Sequence, residues 1–106
     1  MQINPADLAE RFRQGQDVRL LDVRELGENE YVRLPDSLLI PLGELAQRLE
    51  ELEHWKPEEF VVYCHHGVRS ARAVAYLHAN GFSRALNLAG GIDRWTLEVD
   101  PSLPRY

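Results

Sequence analysis

The sequence predicts an α/β domain with a mostly parallel sheet and helices on both faces. Three observations carry that expectation. Two apolar, β-branched runs, "VRLLDV" at 18–23 and "FVVY" at 60–63, are short and read as buried strands. Around them stand segments with helix caps and helical apolar spacing. The connections are short, with no internal repeat and no linker, so strands joined through helices lie parallel with right-handed crossovers.

The elements follow in order. "INPADLAERFRQG" reads as a helix with Asn4 at the N-cap and Pro5 at the first helical position, where a missing N–H costs nothing. Ile3 and Leu8 occupy the positions of a hydrophobic staple, and Gly15 ends the helix. The strand at 18–23 delivers Asp22, Arg24 and Glu25 to its carboxyl end. Residues 25–37, "ELGENEYVRLPDS", read as a polar connection, and "LLI", between Pro35 and Pro41, as a brief strand. Leu42, Leu45, Leu49 and Leu52 recur at helical spacing among polar residues, the pattern of a half-buried helix that ends before Pro57.

The strand "FVVY" sets Cys64 at its carboxyl end. "SARAVAYLHAN" then reads as a helix from about Ser70 to Asn80, with Gly81 and Phe82 placed for a Schellman ending. "RALNL" gives one more strand and "GGIDRW" a short helix after a glycine turn. "EVDPSLPRY", with two prolines, is expected to lie extended over the surface.

At 106 residues, the chain suffices for one hydrophobic core, and we expect one domain spanning 1–106. Hydrophobic residues at 44% and charged residues at 27% are those of a folded globule. Twelve basic against seventeen acidic residues, a net charge of -5, leave no electrostatic footprint for nucleic acid or an anionic membrane, so any anion site is local. The opening "MQINPADLAERF" lacks the basic and apolar regions of an export signal. A lone cysteine forms no internal disulfide and suits a reducing cytoplasm, the expected location.

In open α/β sheets ligands bind beyond the carboxyl ends of the strands, where Cys64 stands immediately before a helix. Helix N-termini and neighbouring cations lower a thiol's pKa from its usual value of about 8.5 and so favour the nucleophilic thiolate. Here the helix near Ser70 and the Arg69 guanidinium are candidates for both effects. The loop "CHHGVRS" can also turn backbone N–H groups inward as a nest for a negatively charged atom, with Gly67 permitting the tight turn. The plainer reading of Cys64 is a small apolar side chain at the edge of the core. The following Gly67, Arg69 and helix start favour the nucleophile.

His65 and His66 with Cys64 form a conceivable metal set, but adjacent residues at a turn aim poorly at one ion, and no metal-ligand spacing is present. No metal and no cofactor are expected. Asp22, Arg24 and Glu25, ending a strand on the same edge, are candidates to line the same crevice. His54 and His78 are expected on exposed helix surface, and Arg72, one turn beyond Arg69, near the loop.

These residues resemble the rhodanese family in its single-domain form. The likeness covers nearly the whole chain through "LLDVRE", "LPDSLLIPLGEL", "CHHGVRS" and "NLAGGIDRW", of which the loop is the most specific. It implies a rhodanese-like, parallel five-stranded α/β domain whose first strand lies around Ile3. It also implies sulfurtransferase activity through a cysteine persulfide, with Cys64 as nucleophile and His65, His66, Gly67, Val68 and Arg69 as the active-site loop. Where the family commonly has histidine, an apolar residue, proline, glycine and alanine, this chain reads "RLPDS", with Arg33, Asp36 and Ser37 substituted.

The expected reaction is ping-pong transfer of sulfane sulfur from a small anionic donor such as thiosulfate to cyanide, a thiol or an acceptor protein. With no second cysteine the chain cannot resolve its own persulfide, so the acceptor is external. A cysteine phosphatase is the rival enzyme reading, but its loop is one residue longer than the four residues, "HHGV", between Cys64 and Arg69. A non-catalytic partner-binding module is the alternative of another class, and the intact Cys64 argues against it.

Overall fold

A computed structural model describes residues 1–106. Five strands, β1 (Gln2–Ile3), β2 (Arg19–Asp22), β3 (Ser37–Leu39), β4 (Phe60–Tyr63) and β5 (Ala85–Leu88), form one sheet in the order β1-β5-β4-β2-β3. Every pairing is parallel. Four α-helices, α1 (Pro5–Arg13), α2 (Leu26–Tyr31), α3 (Val68–Ala79) and α4 (Gly91–Glu98), and two 3₁₀ stretches, Leu42–Glu44 and Ala46–Trp55, complete the chain.

Side-chain alternation along central β4 divides the core. Phe60 and Val62 face a cluster with Leu21, Leu45, Leu52, Trp55 and the α3 residues Ala73, Val74 and Leu77. Val61 and Tyr63 face the opposite cluster, with Ile3, Leu8, Leu20, Ile92 and Trp95. All four β4 residues are buried, as expected for a strand covered on both faces. The chain leaves β4 through α3 toward β5 and leaves β2 toward β3 on the other side. The sheet therefore changes direction between β4 and β2, where open α/β sheets form their crevice.

The expected caps are present. Asn4 accepts a hydrogen bond from the Asp7 N–H at 2.9 Å, and Ile3 and Leu8 share one core cluster. α3 ends in a Schellman motif, with Phe82 N–H donating to Leu77 O and Gly81 N–H to His78 O.

Several expectations are corrected. The polar connection at 25–37 contains α2, which buries none of its residues and so leaves no apolar stripe in the sequence. The brief strand begins at Ser37, one residue ahead of "LLI", and ends at Leu39. The leucine-spaced segment is 3₁₀ rather than a continuous α-helix, broken by non-helical backbone at Arg48. Its leucines pair three apart, 42 with 45 and 49 with 52, and side chains three apart align on a 3₁₀ helix. α3 begins at Val68, two residues before the expected start. Asp36, standing where the related pattern has glycine, adopts a left-handed φ of 58°. His78 is half-buried, and its Nε2 lies 2.9 Å from Ala85 O.

The start of α4 is fastened to the loop after β4. Ile92 and Asp93 N–H groups donate to Cys64 O and His65 O at 2.9 and 3.1 Å. This close approach needs Gly91, where an added Cβ would sit 2.6 Å from Cys64 O and collide with the His65 carbonyl, at a φ of +64°. Gly91→Ala is expected to cost at least about 2 kcal/mol in urea unfolding. A midpoint equal to that of the unaltered chain would contradict this fastening.

Candidate active site

Cys64 is 1% exposed and its sulfur lies inside the turn that starts α3. Gly67 and Ser70 N–H groups donate to Sγ at 3.1 and 3.3 Å. Gly67 makes the turn with a φ of 102°, and an added Cβ there would lie 3.4 Å from Gly90 N. Because α4 holds the outward Cys64 and His65 carbonyls, the loop keeps N–H groups, not carbonyls, toward the sulfur. The result is a small nest suited to negative charge on sulfur.

Behind the thiol, Ser70 and Asn87 form a buried polar pair. The Asn87 side-chain amide donates to Gly67 O at 3.2 Å, which directs its Oδ1 toward Ser70, whose hydroxyl donates to it at 2.5 Å. Ser70 Oγ also lies 3.3 Å from Sγ.

The carboxyl end of β2 supplies the wall. Asp22 and Arg24 side chains are fully buried and paired at 2.8 Å. They support the crevice from within, correcting the expectation that they line it; Glu25 is exposed and caps α2. Arg24 uses every guanidinium donor. Nε and Nη2 reach Asp22, Nη2 also Val32 O, and Nη1 both Glu28 O and the Tyr106 hydroxyl.

Arg69 does not stand free. Its Nη1 and Nη2 donate to Glu28 Oε1 and Oε2 at 2.7 and 2.9 Å. Glu25 N–H and the Tyr106 hydroxyl donate to the same carboxylate at 3.0 and 2.7 Å. These bonds, Arg69 foremost, hold the Glu28 carboxyl down at about 2. Val68 is exposed at the rim.

The histidines belong to an aromatic stack at the mouth. His65 lies between Tyr106, with ring centres 3.9 Å apart and planes 9° apart, and His66, at 3.8 Å and 30°. Burial, then the neighbouring His66, pushes the His65 pKa down. His66 Nε2 approaches Asp93 Oδ2 at 3.5 Å, while Arg105 donates to both Asp93 oxygens. His65, His66 and Asp93 bring ligand atoms within 4.8 Å of one another; Cys64 is outside that group.

The segment after α4, expected only to cross the surface, therefore reaches the site through Arg105 and Tyr106. Glu28, Ser70, Asn87, Asp93 and Tyr106 were not singled out from sequence. Asn87 had a visible signal, a polar residue inside an apolar strand, and Glu28 stands three residues after Glu25 as in a capping box. Arg72 is exposed and His54 lies on the surface. The largest surface hollow, about 400 Å³ and lined by Phe12, Val18, Leu34 and Trp95 among others, is lined by none of residues 64–70.

The parallel α/β sheet thus presents the one cysteine of the chain in an N–H nest between strand and helix. Residues 4–98 match the rhodanese-like domain, and the chain belongs to that family. It is 37% identical over 94 residues to a sulfurtransferase of Allochromatium vinosum, covering 89% of this chain and 86% of that protein. A putative sulfurtransferase of Bacillus subtilis is 32% identical, with 94% of each chain covered. The rhodanese-like domain protein of Staphylococcus aureus superposes with a TM-score of 0.84 at 32% identity, covering 100% of this chain and 99% of that one. Two other relatives are longer, and the chain spans 22% and 48% of them.

The Glu28 linkage has a definite sign. Its folded pKa, about 2, lies below the ordinary 4.5, so its stabilisation is complete above about 4.5 and is lost as pH falls toward 2. The stability advantage over Glu28→Gln in urea titrations is therefore expected to shrink across that window. A difference constant from pH 6 to pH 2 would contradict the assignment.

Proposed function

We propose that this chain is a sulfurtransferase that carries sulfane sulfur as a persulfide on Cys64. The carrying observation is the Cys64 sulfur inside a turn short enough that Gly67 and Ser70 N–H groups both reach it. Such a nest suits a sulfur-sized anion better than a tetrahedral phosphate. The family relatives named sulfurtransferase support this reading.

With thiosulfate as donor, the Cys64 thiolate attacks the outer sulfur. A new S–S bond forms, the bond to the sulfonate sulfur breaks with its electron pair, and sulfite leaves. The persulfide anion rests against the N–H groups. An external acceptor, such as cyanide, a small thiol or a partner protein, then attacks the outer sulfur and regenerates the thiolate. His65, His66 and Arg69 flank the entry, and a reducing cytoplasm keeps the thiol available.

Intact mass after incubation with thiosulfate is expected to rise by one sulfur atom, and not to rise in Cys64→Ser. A phosphorylated cysteine or hydrolysis of an aryl phosphate would instead favour phosphatase chemistry. Arg69→Ala removes the cation and leaves the Glu28 carboxylate without its counter-charge. Persulfide formation should slow roughly tenfold or more, with weaker, salt-sensitive donor binding. Unchanged rates would remove Arg69 from the reaction.

A further inference from the structure

We propose that Tyr106 is a specificity-determining positioning residue: it holds Glu28 against Arg69 and so biases the Cys64 site away from small anions toward sulfur compounds of low charge. The inference rests on the sulfur-transfer reading and adds a residue and a charge preference to it.

Hydrogen-bond polarity fixes the order of the contacts. Arg24 has only donors, so the Tyr106 oxygen accepts from Nη1 at 2.9 Å. Its single proton then goes to Glu28 Oε2 at 2.7 Å. Arg24 is fully buried and bound to Asp22 and to backbone carbonyls, so it is an immobile anchor. Through Tyr106 that anchor reaches Glu28, whose two oxygens take both Arg69 nitrogens.

The tyrosine is itself fixed. Its ring stacks on His65 and meets Tyr31 edge-on at 6.0 Å, and the preceding Arg105 grips Asp93. Both arginines at the mouth are consequently paired, Arg69 with Glu28 and Arg105 with Asp93. An anion approaching Cys64 meets compensated cations, whereas an uncharged reagent loses nothing by this arrangement.

Tyr106→Phe tests the inference, because it keeps the ring and removes only the hydroxyl from a residue that is 45% exposed. Cys64 is the only thiol, so the mass gain that Cys64→Ser lacks reads alkylation at that site. The ratio of its rates with anionic iodoacetate and neutral iodoacetamide reports the charge an entering molecule meets. That ratio is expected to rise about threefold in Tyr106→Phe and further in Glu28→Gln, and the thiosulfate KM to fall with little change in kcat.

General loosening of the fold would speed both reagents alike and leave the ratio unchanged, which would overturn the proposal. So would a ratio that rises in Glu28→Gln alone. If the ratio rises but the unaltered chain never gains sulfur from thiosulfate, the charge control stands and thiosulfate transfer falls. If sulfur is gained and the ratio is flat, the reverse holds.

Discussion

The buried pair of Asp22 and Arg24 is the constraint from which the site is built. An ion pair removed from water is tolerable only when its remaining donors and acceptors are matched, and here the matching reaches across the molecule. Arg24 requires the Glu28 and Val32 carbonyls and the Tyr106 hydroxyl, while Asp22 also takes the Asn29 amide at 2.9 Å. Satisfying this pair fixes both ends of α2 over the carboxyl edge of β2. Glu28 then faces Arg69, and the loop after β4 acquires its wall.

Sulfur and mouth are served by different parts of the chain. The sulfur is met by backbone N–H groups, whose direction is set by turn geometry and by the attachment of α4 to the loop carbonyls. The mouth is made of long side chains from four separate segments, Glu28, Arg69, Asp93 and Tyr106, together with the histidines. A rigid nest and an adjustable entry can thus vary independently across related sequences, because substitutions at the mouth leave the N–H donors in place.

Much of this was legible in the sequence, for identifiable reasons. Asn4, Pro5 and the Gly81–Phe82 ending are local signals whose physics needs no tertiary partner, and each appears in its expected role. Cys64 at the end of a buried strand, before a glycine turn and a helix, likewise follows from neighbours in the chain. Helix α2 was hidden because its six residues bury nothing. Arg24 was placed at the right edge but on the wrong side of the surface, since exposed and fully paired arginines look alike in sequence. Tyr106 was invisible because its contacts, with Arg24, Glu28 and His65, are each at least 41 residues away.

The depth of the lone thiol has a consequence for how the molecule withstands oxidants. A disulfide between two copies requires the sulfurs to meet with Cα atoms usually 4.4–6.8 Å apart. At 1% exposure, Cys64 cannot meet that geometry with a second copy unless the loop opens. Small oxidants that reach the sulfur produce a sulfenic acid within the same N–H groups, and no neighbouring cysteine condenses with it. Reversal then depends on an external thiol that reaches the buried sulfur, so the burial of Cys64 governs both damage and repair.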